Sequence, residues 1–280
     1  MKLCFVILHY LTYGDTIECI NSILNLNGST DIVVVDNNSN NGSIEIVELT
    51  FKEINNIKFI YNKNNLGFAK GNNIGYEYAK DVLKSNMIVV TNNDTVFNDI
   101  EFIDKLHKSY EENKFFITGP DIVSMVDGGH QNPMSGNCLS SKEAFMEEVR
   151  YSLLFLLSKL GLYDLLKKNK NNSNSNNLAK YVAEKKENVI LHGSCIVFSE
   201  LYIEKMKYAF YPETFLYMEE MILFQLCIKN GFKIIYEPSL KVLHKEDSST
   251  NKLTSSNKKK REFVFTNMAK SLRIYRKCLR

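Results

Sequence analysis

The first 120 residues alternate strand-like and helix-like patterns, and this alternation restricts the fold more than any other feature. Continuous apolar runs are typical of strands buried on both faces of a sheet, and this region has four: LCFVILHY, DIVVVDN, IKFIYN and MIVVTNND. The segments between them carry apolar residues at helical spacing. Strand and helix in strict alternation predict an α/β fold with a doubly wound, mostly parallel central sheet.

The length of the chain fits one large domain with a small addition. It has 280 residues, of which 44% are hydrophobic and 24% charged, so it can bury a substantial core. We predict a domain over residues 1–250, with halves at 1–120 and 120–250. The polar, low-complexity stretch 167–177 predicts a flexible segment, and residues 251–280 predict a basic helix.

The charge of the chain is nearly balanced but unevenly distributed. The net charge of +3 implies no general affinity for nucleic acid. The C-terminal tail is strongly basic, and apolar side chains alternate with its cations: Phe263, Phe265, Met268, Leu272 and Tyr275. This tail is interpreted either as a solvated helix or, with the Leu-rich stretch 151–166, as a surface that docks on an anionic membrane.

Neither end of the chain nor its cysteines indicates export. The opening MKLCFVILHYL resembles the start of a signal peptide, but it lacks a small-residue cleavage site and fits a first strand better. The stretch 151–166 is too short to cross a bilayer and contains Lys159 and Asp164. Six cysteines without CxxC spacing indicate free thiols in a reducing compartment, so we expect a cytoplasmic protein.

Polar residues follow each predicted strand at the point where the strand ends. These groups are His9 and Tyr10, Asp36 to Ser39, Asn62 to Asn65, and Asn92 to Asp94. The carboxyl ends of parallel strands meet at one edge of the sheet, which is where doubly wound folds bind their ligands. The sequence therefore predicts a ligand site built from these residues.

A glycine-spaced loop leads into the third predicted helix. Gly67, Gly71 and Gly75 recur every four residues, which matches neither the Walker loop nor the Rossmann GxGxxG pattern. Small residues at this spacing are often explained by close packing, and for Gly71 and Gly75 that alternative stays open. The neighbouring amides and cation suit a polyanionic or sugar-like ligand; they are Asn65, Asn72 and Lys70.

Asp36 and Asp94 each end a predicted strand, and each has two interpretations. An aspartate at such a position often caps a turn. As a metal ligand, one carboxylate is insufficient, because Mg²⁺ or Mn²⁺ requires several oxygen ligands. A phosphorylated substrate would supply the others.

Seven stretches in this order resemble the motifs of family 2 glycosyltransferases, in particular the branch that includes bacterial rhamnosyltransferases. They are VILHYLTYGDTIECINSI, IVVVDNNSNNGS, NKNNLGFAKGNNIG, VVTNNDT, LHGSCIVFS, FLYMEEMILFQLCIKNGF and PSLKVLHKEDSS. The resemblance implies a GT-A fold over residues 1–250. It also implies that residues 1–120 bind a nucleotide-diphosphate sugar, that residues 120–250 bind the acceptor, and that the sugar is transferred with inversion.

The resemblance further implies which residues bind the nucleotide. His9, Tyr10 and Asp36 would hold the nucleobase and ribose, and residues 67–73 would lie against the nucleotide. The full implied set is His9, Tyr10, Asp36, Asn38, Asn65, Gly67, Lys70, Asn72, Asn93 and Asp94.

The resemblance implies a divalent metal, Mn²⁺ or Mg²⁺, bound by Asp94 and His244. The family's Asp-x-Asp motif here reads Asn92-Asn93-Asp94, so only the last carboxylate is retained. Taken alone, His244 would be interpreted as a capping or solvent-exposed histidine.

The resemblance implies that the catalytic base is Glu220. The family's Glu-Asp pair reads Glu219-Glu220, so a glutamate replaces the usual aspartate, and Glu219 is a second candidate for the base. Adjacent acids are also favoured at a helix start by the helix dipole alone.

The acceptor side is less well specified. His130 and His192 are candidates to line it, although a packing or loop role is the preferred interpretation of each. By resemblance, the donor is dTDP-rhamnose or a UDP-hexose, and the acceptor is a glycan or a lipid-linked saccharide in cell-surface polysaccharide synthesis. Such an acceptor would place the protein on the inner face of the cell membrane.

Three other functions are weighed against this one. A Rossmann oxidoreductase would carry GxGxxG after the first strand. A sugar nucleotidyltransferase would carry a basic, Gly-rich loop there, where this chain reads HYLTYGDT. A catalytically inactive nucleotide-sugar-binding module is suggested only by Glu220 in place of aspartate.

Overall fold

The computed structural model describes residues 1–164, 180–246 and 257–279. The predicted flexible segment 167–177 and the predicted boundary at residue 250 lie outside these residues. All six cysteines are free thiols. Within the described ranges, no helix combines the length and the apolar character that crossing a bilayer requires.

The elements follow the predicted alternation through the first half of the chain. The strands are β1 (Leu3–His9), β2 (Thr30–Asp36), β3 (Ile57–Tyr61), β4 (Met87–Asn92), β5 (Thr95–Val96), β6 (Ile117–Ser124), β7 (Lys186–Glu187), β8 (Cys195–Phe198) and β9 (Ile234–His244). The helices are α1 (Tyr13–Leu24), α2 (Ser43–Phe51), α3 (Gly67–Glu77, extended by a π-helical turn at Tyr78–Val82), α4 (Phe102–Asn113), α5 (Ser141–Lys159), α6 (Glu200–Lys205), α7 (Glu219–Lys229) and α8 (Asn257–Cys278).

The strands form one sheet in the order β3-β2-β1-β4-β8-β6-β9-β5, and β7 pairs with β9. The four predicted strands β1 to β4 pair in parallel, which confirms the predicted α/β fold. β8 enters antiparallel to β4, and β9 runs parallel to β6. β9 is one long strand, whose register against β6 shifts between Pro120 and Asp121.

Both faces of the sheet are covered, which explains the continuous apolar runs. Leu3, Phe5 and Ile7 of β1 belong to one apolar cluster, with side chains from α1, α2 and α4. Cys4 and Val6 point the other way, into a second cluster with α3 and α7. Successive side chains of a strand alternate between faces, so a strand covered on both sides has no polar face.

Two of the three spaced glycines pack α3 against the sheet. A Cβ on Gly71 would lie 2.5 Å from Leu8 Cδ1, and one on Gly75 would overlap Val6 and crowd Val35. For Gly71 and Gly75, close packing is therefore the function that the structure supports.

The basic C-terminal helix α8 packs on α5 and α7. Leu272 and Tyr275 are buried in a third apolar cluster. Phe265 is also buried, with 8% of its surface exposed. Glu148 of α5 accepts hydrogen bonds from Arg273 and Arg276 of α8. Phe265, Leu272 and Tyr275 therefore face the domain, and docking of the tail on an anionic membrane stays a prediction.

Candidate functional site

A cleft of about 330 Å³ opens at the carboxyl ends of β1, β2 and β4. Six of the predicted site residues line it: Tyr10, Asn65, Gly67, Asn93, Asp94 and His244. The other lining side chains come from Leu8, Asn37, Phe68, Asn92, Gln131, His192, Phe215, Leu216, Glu246 and Phe263.

His9 lies beneath the cleft rather than in it. The imidazole is fully buried, with Nδ1 2.7 Å from Thr16 Oγ1 and Nε2 2.8 Å from Ser43 Oγ. Burial lowers the pKa of His9 to about 4, so the ring is neutral. With both nitrogens bonded to protein hydroxyls, His9 joins β1 to α1 and α2 and supports the floor of the site.

Four further predicted residues are not among the side chains that line the cleft. Both carboxylate oxygens of Asp36 accept from the backbone N–H of Ser39, at 3.2 Å each. Asn38 has a left-handed backbone, with φ of 64°. Lys70 is exposed on α3, and the amide of Asn72 donates to the Phe68 carbonyl at 3.0 Å.

The residue after Asp36 reaches the cleft instead. Asn37 donates to Asn65 Oδ1 at 3.0 Å and to the Gly67 carbonyl at 3.2 Å. Its Oδ1 accepts from the backbone N–H of Leu66 at 2.9 Å. Asn37 therefore fixes the loop before α3, a role that the adjacent amides in DNN signalled only weakly.

Gly67 allows two chain segments to meet at the edge of the cleft. Its φ is 79°, and a Cβ there would overlap the Phe215 carbonyl oxygen. That oxygen accepts from the backbone N–H of Phe68 at 2.7 Å. Only glycine satisfies both the left-handed backbone and the close approach.

Gly67→Ala is expected to lower the free energy of unfolding by about 2 kcal/mol or more, because it combines a clash with an unfavourable φ. Gly14→Ala is the matched control. Gly14 lies in α1 with open space around its Cα, so alanine there should be neutral or slightly stabilising. Urea denaturation of both variants checks this, and equal effects would contradict it.

Asp94 and His244 meet although 150 positions separate them. Antiparallel pairing of β5 with β9 places Thr95 opposite His244, so the preceding residue, Asp94, lies beside the ring. Asp94 Oδ1 is 3.2 Å from His244 Nε2. Both side chains are buried.

Gln131 and Glu246 orient the His244 ring. Gln131 Nε2 donates to Glu246 Oε1 at 2.9 Å, which leaves Gln131 Oε1 to accept from His244 Nδ1 at 2.8 Å. With the proton on Nδ1, a neutral ring presents the lone pair of Nε2 to Asp94. Gln131 had no sequence signal beyond its place in the polar stretch GGHQNP.

This pair fits a divalent cation that receives further ligands from a substrate. Asp94 Oδ1 is buried without a hydrogen-bond donor, and it faces the Nε2 lone pair of His244. A carboxylate and an imidazole suit Mn²⁺ or Mg²⁺. Among residues 1–164, 180–246 and 257–279, no group of three or more His, Cys, Asp or Glu side chains could hold a metal together.

A second cavity of about 370 Å³ adjoins the cleft, and Glu219 and Glu220 lie in it. The two cavities share Phe68, Asn92, His192 and Leu216. The second is mainly apolar and is lined by four methionines: Met134, Met218, Met221 and Met268. His192 therefore lies between the cavities, whereas His130 pairs with Asp121 at 2.7 Å and lines neither.

The acidic pair begins α7 after a strained backbone. Tyr217 and Met218 both have positive φ, 75° and 71°, which is unfavourable for non-glycine residues. Glu220 Oε1 accepts from the backbone N–H of Gly193 at 3.3 Å. A Cβ at Gly193 would lie 2.7 Å from that oxygen, so glycine there makes room for the carboxylate.

The two glutamates lie in different environments. Burial, and then the charge of Glu220, raise the pKa of Glu219 to about 8. Its Oε1 has no hydrogen-bond partner. Burial also raises the pKa of Glu220, but the Gly193 N–H opposes this by stabilising the carboxylate. Burial and the missing donor therefore favour the protonated form of Glu219.

The raised pKa of Glu219 makes folding stability depend on pH. The folded pKa of about 8 exceeds the ordinary 4.5, so the stabilisation is complete below pH 4.5 and is lost as pH rises towards 8. Glu219→Gln is expected to flatten the pH dependence of stability in this window, by a few kcal/mol across it. Denaturation midpoints at pH 5 and pH 8 test this, and an unchanged slope would contradict it.

The C-terminal helix contributes to both cavities. Phe263 lines the cleft and Met268 lines the second cavity. A third, more open groove of about 480 Å³ lies between α5 and α8 and includes Lys159 and Lys270. Contact with the acceptor is another interpretation of the basic tail 251–280, and the position of α8 beside both cavities is compatible with it.

A family model and known proteins match large parts of this chain. Residues 4–205 match the family model described as Glycosyl transferase family 2. "Glycosyltransferase GlyG" of Streptococcus pneumoniae is 26% identical over 127 residues, which are 40% of this chain and 42% of that protein. The chain therefore matches less than half the length of this curated relative.

Solved structures resemble the fold at low sequence identity. TarS 1–349 from S. aureus superposes with a TM-score of 0.58 at 13% identity, covering 88% of this chain and 60% of that one. GalNAc-T7, solved with UDP, GalNAc and Mn²⁺, superposes with a TM-score of 0.61 at 12% sequence identity. The match covers 89% of this chain and 45% of that one. Mannosyltransferase PcManGT from Pyrobaculum calidifontis, solved with GDP-Man and Mn²⁺, has a TM-score of 0.55 at 12% sequence identity. The match covers 89% of this chain and 59% of that one.

Proposed function

Because the chain belongs to glycosyl transferase family 2, we propose that it transfers a sugar from a nucleotide-diphosphate sugar to an acceptor hydroxyl. The solved neighbours include complexes with UDP-GlcNAc and GDP-Man, which supports a nucleotide-sugar donor. The proposed donor is dTDP-rhamnose or a UDP-hexose, on the motif resemblance of NNLGFAKGNN and TNNDT.

The cleft is the proposed donor site. Tyr10, Asn65 and Gly67 line the end assigned to the nucleoside, and Asn93 and Asp94 line the end assigned to the diphosphate. Asp36 and His9 would contribute indirectly, because they lie beneath the cleft and fix the ends of β2 and β1. Lys70 and Asn72 lie on the helix behind the loop, so their proposed contribution is indirect.

Asp94 and His244 are the proposed metal ligands. A divalent cation bound there would act as a Lewis acid on the diphosphate of the donor. The residues around them hold the ligand atoms in place: Gln131 and Glu246 keep the proton on His244 Nδ1. Such a second layer of hydrogen bonds is typical of metal-binding histidines.

Glu220 is the proposed general base. The acceptor oxygen would form a bond to the anomeric carbon while the bond from that carbon to the phosphate oxygen breaks, and its proton would pass to the Glu220 carboxylate. Attack opposite the leaving group inverts the anomeric centre. Protonated Glu219 would leave Glu220 as the only anionic member of the pair.

The second cavity is the proposed acceptor site, because it adjoins the cleft and contains the acidic pair. Its methionines favour an acceptor with an apolar face beside the reacting hydroxyl. A glycan or a lipid-linked saccharide on the cytoplasmic side of a membrane meets this description.

One observation carries the proposal: the buried Asp94–His244 pair and the Glu219–Glu220 pair line adjoining cavities. The test is to incubate the protein with nucleotide sugars and Mn²⁺ and to measure release of free nucleoside diphosphate. Release with one donor is expected. Release of pyrophosphate would indicate a nucleotidyltransferase instead, and binding without any release, even with candidate acceptors, would indicate an inactive module.

A further inference from the structure

The cleft and the second cavity share four side chains, which form the junction between them: Phe68, Asn92, His192 and Leu216. Asn92 and His192 are the polar members, and neither takes part in the proposed chemistry. Asp94, the proposed metal ligand, lines the cleft, whereas Glu220, the proposed base, lines the second cavity. Because the anomeric carbon must lie between the leaving phosphate and the attacking hydroxyl, the transferred sugar has to occupy the junction.

The hydrogen bonds of His192 determine which of its ring nitrogens carries the proton. Its Nδ1 accepts from the backbone N–H of Ser194 at 3.2 Å, and Ser194 Oγ lies 3.0 Å from the same nitrogen. A nitrogen that accepts an N–H has no proton of its own, so the ring carries its proton on Nε2. Across residues 1–164, 180–246 and 257–279, Nε2 has no hydrogen-bond partner. His192 therefore offers an N–H donor to a ligand in the junction.

Asn92 offers an amide to the same space from the end of β4. Its side chain makes no hydrogen bond to any residue that the structure describes. Its backbone, by contrast, is fixed: the N–H donates to the Ser194 carbonyl at 2.8 Å, and the carbonyl accepts from Thr95 Oγ1 at 2.8 Å. An amide has both donors and an acceptor, so it can bind a sugar hydroxyl in either role.

The sheet holds the two polar side chains of the junction at a fixed spacing. Ser194, which bonds to both residues, immediately precedes β8, and β8 pairs with β4. The backbone N–H of His192 donates to Asn132 Oδ1 at 2.7 Å, and Asn132 is itself bonded to the Pro120 carbonyl at 2.8 Å. Side chains supported in this way by rigid elements are suited to recognise the positions of individual hydroxyl groups.

The surroundings of the junction are apolar or acidic. Among the described residues that line the two cavities, none is Lys or Arg. The acidic residues that line them are Asp94, Glu219, Glu220 and Glu246. A carboxylate on the transferred sugar would therefore meet like charges and find no cation to pair with. Phe68 and Leu216 instead suit the C–H groups of a sugar ring.

We propose that Asn92 and His192 bind hydroxyl groups of the transferred sugar, and that this sugar is uncharged. The His192 Nε2–H donates to one hydroxyl oxygen, and the Asn92 amide pairs with another. This assignment rests on the proposed function, which places the sugar between Asp94 and Glu220. It narrows the donor to a nucleotide-diphosphate hexose or deoxyhexose without a carboxylate. It also assigns His192 to the donor sugar rather than to the acceptor side.

Calorimetric titration of the full chain in Mn²⁺ tests whether the sugar is uncharged. UDP and dTDP are titrated first, and the tighter of the two sets the nucleotide of the sugar probes. Its glucose and rhamnose conjugates are then compared with its glucuronic acid conjugate. The tighter neutral conjugate is expected to bind at least about tenfold more tightly than the glucuronic acid conjugate. Equal affinities would overturn the uncharged sugar. Absence of binding by both UDP and dTDP would contradict the proposed function itself, and this assignment with it.

His192→Asn tests the sugar contact, because the asparagine Oδ1 can still accept from the Ser194 N–H while the Nε2–H is lost. The variant is expected to bind the neutral conjugate about threefold to tenfold more weakly and to bind the nucleoside diphosphate as before. Asn92→Ala should separate the two ligands in the same way. His107→Asn is the matched control, because His107 is half-buried on α4 and lines neither cavity.

Two outcomes of these titrations would reject the sugar contact. Unchanged affinity of the neutral conjugate in both junction variants would leave Asn92 and His192 without a part in donor binding. Equal losses for the conjugate and for the nucleoside diphosphate would assign the two side chains to the diphosphate instead. In either case the unsubstituted protein would still bind its nucleoside diphosphate, so the proposed function would stand.

Discussion

Glu220→Gln is expected to lower the rate of sugar transfer by about 10²- to 10⁴-fold while leaving donor affinity nearly unchanged. The amide keeps the size of the side chain and its acceptor atom for the Gly193 N–H, but it cannot take the proton of the acceptor hydroxyl. The measurement is kcat for nucleoside diphosphate release in the presence of acceptor, beside calorimetric titration of the donor. Normal turnover would remove Glu220 from the role of base.

Glu219→Gln is the matched control for this variant, because Glu219 is the adjacent acid in the same cavity. Since the pKa of Glu219 is raised to about 8, the side chain is already neutral at pH 7, and an amide replaces it at little electrostatic cost. We expect a much smaller loss of activity than in Glu220→Gln. The reverse order of effects would assign the base to Glu219.

Asp94→Asn is expected to weaken binding of a nucleoside diphosphate in the presence of Mn²⁺ by about tenfold to a hundredfold. The substitution preserves the shape of the side chain but removes the only carboxylate retained from the family's Asp-x-Asp motif. Binding without the metal should change little, so the difference between the two titrations isolates the metal. The Mn²⁺ affinity of the unsubstituted protein without nucleotide should be low, because the proposed site has only Asp94 and His244 as protein ligands.

Asp99→Asn provides a control for the loss of an acidic charge. Asp99 bonds to Lys105 and is not among the residues that line the cleft. Its replacement should leave nucleotide affinity unchanged. If Asp94→Asn also leaves the Mn²⁺-dependent affinity unchanged, Asp94 is not a metal ligand.

The strands of the parallel half were predictable from sequence because burial on both faces leaves a continuous apolar run. The position of the site was predictable for the same reason, since polar residues appear only where those runs end. Family motifs then indicated Asp94, His244 and the acidic pair, and the structure places these residues in adjoining cavities. Their chemical roles stay predictions until the variants above are measured.

The side chains that face the cleft were not predictable at single-residue resolution. His9, Tyr10 and Asp36 were expected in the site. Tyr10 lines the cleft, but His9 lies beneath it, and Asn37 lines the cleft where Asp36 was expected. Neighbouring residues at a strand end point in opposite directions. An error of one position therefore exchanges a residue that lines the cleft for one that lies beneath it. Gln131 and Phe263 were missed because only the folded chain brings the segment after β6 and helix α8 to the end of β4.

The sequence by itself determined the order of strands and helices, the covered sheet and the edge at which the site forms, because these follow from local apolar periodicity. Only the tertiary structure decided the pairing of Asp94 with His244, the raised pKa of Glu219, and the burial of the apolar side chains of α8. Each of these depends on contacts between residues more than one hundred positions apart or on loss of water around a side chain. The local pattern of residues contains neither these distant contacts nor this loss of water.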